Sequence, residues 1–158
     1  MKRIFDLLSS IIIIISLSFV LLVIYFLVRI TSPGPVLFWS DRVGQNNKIF
    51  KMPKFRTMVV DTPVVATDLL IDATSRFTPI GSFLRKYSID ELPQLWCVIK
   101  GDMSLVGPRP ALYNQYKLIK LRTKKNIHLL CPGLTGWAQV NGRDDLSNEE
   151  KVILDFLL

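Results

Sequence analysis

Leu7 to Val28 is a run of twenty-two residues without a charge, and it opens a chain of only 158. Such a run belongs in lipid or in a core. At about 1.5 Å per residue it makes a helix of roughly 33 Å, close to the thickness of a bilayer's hydrocarbon layer. Lys2 and Arg3 ahead of it also suit a signal peptide. The run is too long for a signal h-region, however, and Ile30-Thr31-Ser32-Pro33 offers no small-residue cleavage pattern, so the segment is expected to stay on the protein.

The flanking charges conflict with a simple span. Lys2 and Arg3 ask for a cytoplasmic N-terminus, while Arg29, Arg42, Lys48, Lys51, Lys54 and Arg56 ask the same of the other end. A helix that enters one leaflet, bends and returns satisfies both, provided that the backbone groups freed at the bend find partners. Ser16 and Ser18 lie near the middle, where back-bonding to carbonyls of the preceding turn bends a helix without proline; as tolerated small residues they suit a straight span equally well.

Ser32-Pro33-Gly34-Pro35 ends the helix, because the residue before a proline avoids helical geometry. This marks the boundary between a membrane segment, 1–31, and a domain, 32–158. Val36-Leu37-Phe38-Trp39 suits a strand or an aromatic belt at the membrane interface, and Lys48 to Arg56 alternates basic with apolar residues as an extended stretch does. The balance of twenty Lys plus Arg against thirteen Asp plus Glu, a net +7, favours anionic partners. Beside an apolar helix these are acidic lipid head groups or phosphorylated substrates, with no role for nucleic acid. Cys97 and Cys131 fall in no metal-ligand or CxxC spacing and read as free thiols, and His128, the one histidine, is left out of the chemistry.

Asp90 and Glu91 stand before Leu92, Leu95, Trp96 and Ile99, which recur at helical spacing up to a stop at Gly101. Ser88 fits a capping box with Glu91, but Pro93 argues for a start two residues later, with Asp90 as N-cap. In either register both acids sit at a helix N-terminus, where anions and phosphates are stabilised. The pair reads either as structural caps or as a nucleophile with a metal ligand. Downstream, Gly107-Pro108-Arg109-Pro110 stiffens an arginine suited to bidentate phosphate recognition, and Gly133 to Arg143 is a second glycine-punctuated loop ending in arginine.

Read in order, KRIFD, TSPGPVLF, KFRTM, LRKYSIDELPQLW, KGDMSLVGPRP and GLTGWAQVNGR span nearly the whole chain. This series resembles the bacterial sugar transferase family of monotopic phosphoglycosyl transferases. The resemblance implies an α+β fold, mainly helical with a few short strands: a re-entrant membrane helix at 1–31 and a compact catalytic domain, 32–158, on the cytoplasmic face of the bacterial inner membrane. It implies transfer of a sugar 1-phosphate from a UDP-sugar to undecaprenyl phosphate, with release of UMP, to begin a surface polysaccharide such as capsule or O-antigen.

By resemblance Asp90 is the nucleophile and Glu91 the partner of a magnesium ion, Mg2+, while Arg85, Arg109 and Arg143, with Lys54 and Arg56, contact phosphate or nucleotide. Inner-membrane lipid and a second copy of the chain are the further partners it allows. Two departures bear on these expectations. Similar chains carry Ser-Pro at the bend where this one has Ser18-Phe19, and they continue beyond Leu158, so the chain is expected to be C-terminally truncated with Val152, Ile153, Phe156, Leu157 and Leu158 lacking partners. The rival function is a catalytically silent module that binds anionic lipid or a partner transferase through the same basic face. The sugar is not legible, although Val64 to Asp68, between motifs, is where specificity could reside.

Overall fold

The computed structural model describes residues 1–63, 73–142 and 145–157. The apolar run forms two helices rather than one, α1 (Lys2–Ser16) and α2 (Ser18–Thr31), bent by 63° at a break of one residue, Leu17. Neither helix alone is long and apolar enough to cross a membrane. The bend falls where the sequence placed it, but serine back-bonding does not make it. Neither Ser16 nor Ser18 donates a side-chain hydrogen bond, and Leu17 itself, with φ −96° and ψ 5°, carries the change of direction while its amide still reaches the Ile13 carbonyl at 2.9 Å.

The N-terminal charges do more than bias topology. Arg3 donates to the carbonyls of Val98 and Ile99, Lys2 to that of Val106 at 2.9 Å, and buried Asp6 accepts from the Ser104 hydroxyl at 2.8 Å. All four acceptors and donors belong to the domain, so α1 is clamped onto it. Arg3 thereby bonds carbonyls in the last turn of a short helix, α4 (Leu95–Lys100), where partners within the helix run out. Helix α2 is equally tied in. Ile24 and Val28 pack with Val36, Phe55 and Leu84 in one buried cluster, so the boundary near residue 31 separates environments and not two cores.

Beyond Ser32 the chain makes β1 (Leu37–Val43) and β2 (Ile49–Phe55), an antiparallel hairpin in register Leu37 to Phe55. A short strand, β4 (Ala111–Leu112), adds to the other side of β1, and Pro53, which cannot donate to a ladder, falls on the edge strand β2 as expected of proline. Strands β3 (Ser104–Val106) and β5 (Gly133–Thr135) pair in parallel. This pairing presses the two glycine loops together. A Cβ on Gly107 would collide with the Cys131 carbonyl, and one on Gly133 or Gly136 with the backbone of Gly107, so only glycine lets the chains approach so closely. Helices α3 (Gly81–Lys86), α5 (Tyr116–Lys124), α6 (Trp137–Val140) and α7 (Asn148–Phe156) complete the domain.

The mixed α+β architecture agrees with the sequence reading. Helix α7 begins on a capping box, with the Glu150 amide on the Ser147 hydroxyl and the Ser147 amide on the Glu150 carboxylate. Val152 is buried in a core with Leu118 and Ile127, whereas Ile153, Phe156 and Leu157 are exposed. Leu158 lies outside the described residues. Both cysteines are free, and burial pushes the Cys97 thiol up to about 11.

Candidate active site

Asp90 and Glu91 do not begin an α-helix. They lie in a tight 3₁₀ turn, Ile89–Gln94, that precedes α4, with Ser88 ahead of it in a left-handed conformation, φ 55°. Asp90 therefore caps nothing, and the Ser88 hydroxyl makes no capping bond either. Pro93 lies inside the turn and has no amide to continue a ladder, so a regular α-helix is not begun here. Strand β2 packs across this turn, and its next-to-last residue, Lys54, reaches Glu91.

The two carboxylates meet different surroundings. Glu91 accepts from the Lys54 ammonium at 2.7 Å and from both terminal nitrogens of Arg109, at 2.7 and 3.3 Å. Burial works to raise its pKa, but the charges of Lys54 and Arg109 and the bonds they donate outweigh that and hold Glu91 well below the usual carboxylate range. Asp90 is also buried, yet it accepts no hydrogen bond from another side chain among the described residues. Its pKa goes the other way. Burial pushes it up, Lys54 opposes this, Glu91 reinforces it, and Arg85 offsets a further part. One acid is locked and the other is available.

Both line a single cleft of about 870 Å³ with Lys54, Arg85, Arg109 and Arg42. Arg85 is set by its Nε on the Thr57 hydroxyl at 3.0 Å and by stacking on Phe77 at 5.1 Å. Burial lowers the Lys54 ammonium to about 8, with Glu91 opposing and Arg109 adding to the shift. So five of the seven residues singled out in the sequence, Asp90, Glu91, Arg85, Arg109 and Lys54, converge.

Arg56 is a correction of emphasis. It borders the same cleft, but its guanidinium is buried on the carbonyls of Ser32 and Pro33, so it braces the loop leaving α2. Gly34, at φ 112°, makes room for it, since a Cβ there would collide with the guanidinium. Arg143 and the Val64 to Asp68 segment lie outside the described residues. Two residues went unnoticed in the sequence: Arg42, whose Nη1 donates to the Pro110 carbonyl at 3.2 Å, and Arg122, taken up below. Alternation along β1 puts Ser40 and Arg42 on one face, and this was the one sequence signal that could have flagged Arg42. His128 borders only a small separate hollow, consistent with its exclusion from the chemistry.

Magnesium demands few protein ligands, one or two carboxylates with substrate phosphates and water. Among the described residues no three His, Cys, Asp or Glu side chains gather as a metal cage. Asp90 fits that modest requirement because no other described side chain donates to its oxygens. Glu91, which the resemblance assigned to the ion, is held by two cations and joins only by exchanging one of them.

The geometry defines a class: a cleft ringed by cations and so suited to anionic substrates, with two buried acids of which one, Glu91, is held by cations. The chain belongs to the bacterial sugar transferase family, whose model matches residues 1–157. It is 44% identical over 155 residues to the uncharacterized sugar transferase EpsL of Bacillus subtilis, covering 98% of this chain and 75% of that protein. It is 40% identical over 167 residues to an undecaprenyl-phosphate glucose phosphotransferase of Komagataeibacter xylinus, and 38% over 172 residues to an undecaprenyl-phosphate galactose phosphotransferase of Salmonella typhimurium. Each of the latter two matches 98% of this chain, which spans about a third of their length, 31% and 35%.

Proposed function

We propose that this protein transfers a sugar 1-phosphate from a UDP-sugar to undecaprenyl phosphate at the cytoplasmic face of the bacterial inner membrane, beginning a surface glycan. The observation that carries the reading is the asymmetry of the acid pair: Glu91 is tied to Lys54 and Arg109, while Asp90, buried in the same cleft, keeps its oxygens free of side-chain donors.

Asp90 attacks the phosphorus nearer the sugar. A carboxylate–phosphorus bond forms as the bond to the UMP oxygen breaks, and UMP leaves with the electron pair. An oxygen of undecaprenyl phosphate then attacks the same phosphorus, expels the Asp90 carboxylate and gives the lipid diphosphate sugar. Arg85 and Arg109 neutralise the phosphate charge that moves through these steps, the main electrostatic task in phosphoryl chemistry. Lys54 helps to hold the diphosphate. Asp90 would hold magnesium together with substrate oxygens, and the ion would supply charge neutralisation for the departing UMP. Glu91 bridges Lys54 and Arg109 and so holds both cations at the cleft.

The membrane placement draws on the N-terminal clamp. Lys2, Arg3 and Asp6 bond to the domain itself, so both ends of the apolar hairpin lie on the domain's side, as a re-entrant segment requires. The test is UMP release from a panel of UDP-sugars by the purified chain with magnesium and undecaprenyl phosphate. Release with the native chain and none with Asp90→Asn is expected. No release with any UDP-sugar, or a phosphosugar adduct trapped on a residue other than Asp90, would overturn the assignment and favour the silent lipid-binding module.

A further inference from the structure

Arg109 is not aimed at Glu91 by its own loop alone. The flanking prolines fix φ at their own positions, but the direction of the loop depends on what holds its carbonyls. Two arginines from different elements do this. Arg42 of β1 donates to the Pro110 carbonyl at 3.2 Å, and Arg122 of α5 donates from Nη1 to the carbonyl of Arg109 itself at 2.7 Å.

Arg122 is held in turn. Its Nε and Nη2 both donate to Oδ2 of Asp155 on α7, at 2.9 and 2.6 Å, and Asp155 is fully buried while Arg122 is 9% exposed. A buried ion pair between two helices is weak evidence of a stabilising role, because an apolar pair of similar volume commonly does as well or better. The third donor, spent on Arg109, has no use in joining α5 to α7. The planar fork of arginine serves both acceptors at once, which a lysine cannot do.

We propose that Arg122, fixed by Asp155, is a positioning residue that sets the Arg109 guanidinium on Glu91 and so links α7 to the reacting centre. The catalytic consequence rests on the transferase reading given above, but the positioning itself does not.

The experiment therefore has two readouts on the full chain in detergent micelles. Phenylglyoxal labelling of Arg109, followed by peptide mass spectrometry with exposed Arg76 as internal reference, reports the hold on the loop without any turnover. In Arg122→Lys, Arg109 is expected to label several-fold faster with Arg76 unchanged. UMP release is then measured in a double-mutant cycle with Arg109→Lys. Arg122→Lys is expected to lower turnover about tenfold alone and to add little in the Arg109→Lys background, as coupled residues do.

If circular dichroism shows Arg122→Lys unfolded, Asp155→Asn, which keeps the volume and an acceptor oxygen, takes its place in both readouts. Unchanged labelling of Arg109 in a folded variant, or the same fold-loss of turnover in both backgrounds, would overturn the proposal. Absence of UMP release by the native chain would sink the transferase reading, and the labelling would still decide the positioning.

Discussion

Lys54 is the cation at this site whose charge can be lost in an ordinary pH range. Burial brings its ammonium down to about 8 from an ordinary value of 10.5, so it is charged below that pH and neutral above. An anionic substrate loses one of its cations as Lys54 deprotonates. The pH dependence of kcat/KM, which reports the free enzyme, is expected to fall as pH rises through about 8. Lys54→Arg, permanently charged, should remove that limb; a limb that survives the substitution would mean another group titrates there. At this scale the sequence was legible wherever neighbours in the chain are neighbours in space, as with Asp90 and Glu91. It was opaque for Arg42, whose partner Pro110 stands 68 positions away, and for Arg56, which looks like a second Lys54 until the backbone of Ser32 and Pro33 is seen to capture it.

Among the elements, a bend within the apolar run was anticipated from charge, because basic residues at both ends of such a run disfavour a straight span. Its mechanism was not. The bend needs no serine bond, since the backbone angles of Leu17 are enough, and nothing in the pattern of KRIFD distinguishes a topology signal from a clamp on α4 and β3. The 3₁₀ turn under Asp90 was likewise hidden, because Pro93 could be reconciled with helix by shifting the start, whereas the chain tightens its winding instead. The hairpin makes a topological prediction. Single cysteines at Lys2 and Asn46, in a Cys131→Ser background, are to be probed with a membrane-impermeant thiol reagent in spheroplasts; Cys97 can stay, being fully buried. Both sites should remain unlabelled until the membrane is opened. Labelling at one end only would demonstrate a straight span and remove the inner-face placement of the site.

For the whole molecule, the sequence suggested a membrane segment attached to a separate catalytic domain, and the packing argues for something more integrated. Ile24 and Val28 of α2 cover Val36, Phe55 and Leu84, and Phe55 follows Lys54 directly, so the strand that delivers a site cation rests on the apolar hairpin. Periodicity could not reveal this, since an all-apolar run offers no contrast between a lipid face and a protein face. A chain without residues 1–31 would expose those three side chains to water. At about 2 kcal/mol for each large apolar side chain, the loss approaches 6 kcal/mol, comparable with the 5–15 kcal/mol that holds a typical domain together. Loss of the Asp6 and Arg3 bonds to Ser104, Val98 and Ile99 adds to it. Residues 32–158 alone are therefore expected to aggregate, or to stay soluble without near-ultraviolet circular dichroism or cooperative thermal unfolding. A soluble 32–158 that unfolds cooperatively and still labels Arg109 as slowly as the full chain would prove the hairpin to be an anchor only, with no part in building the site.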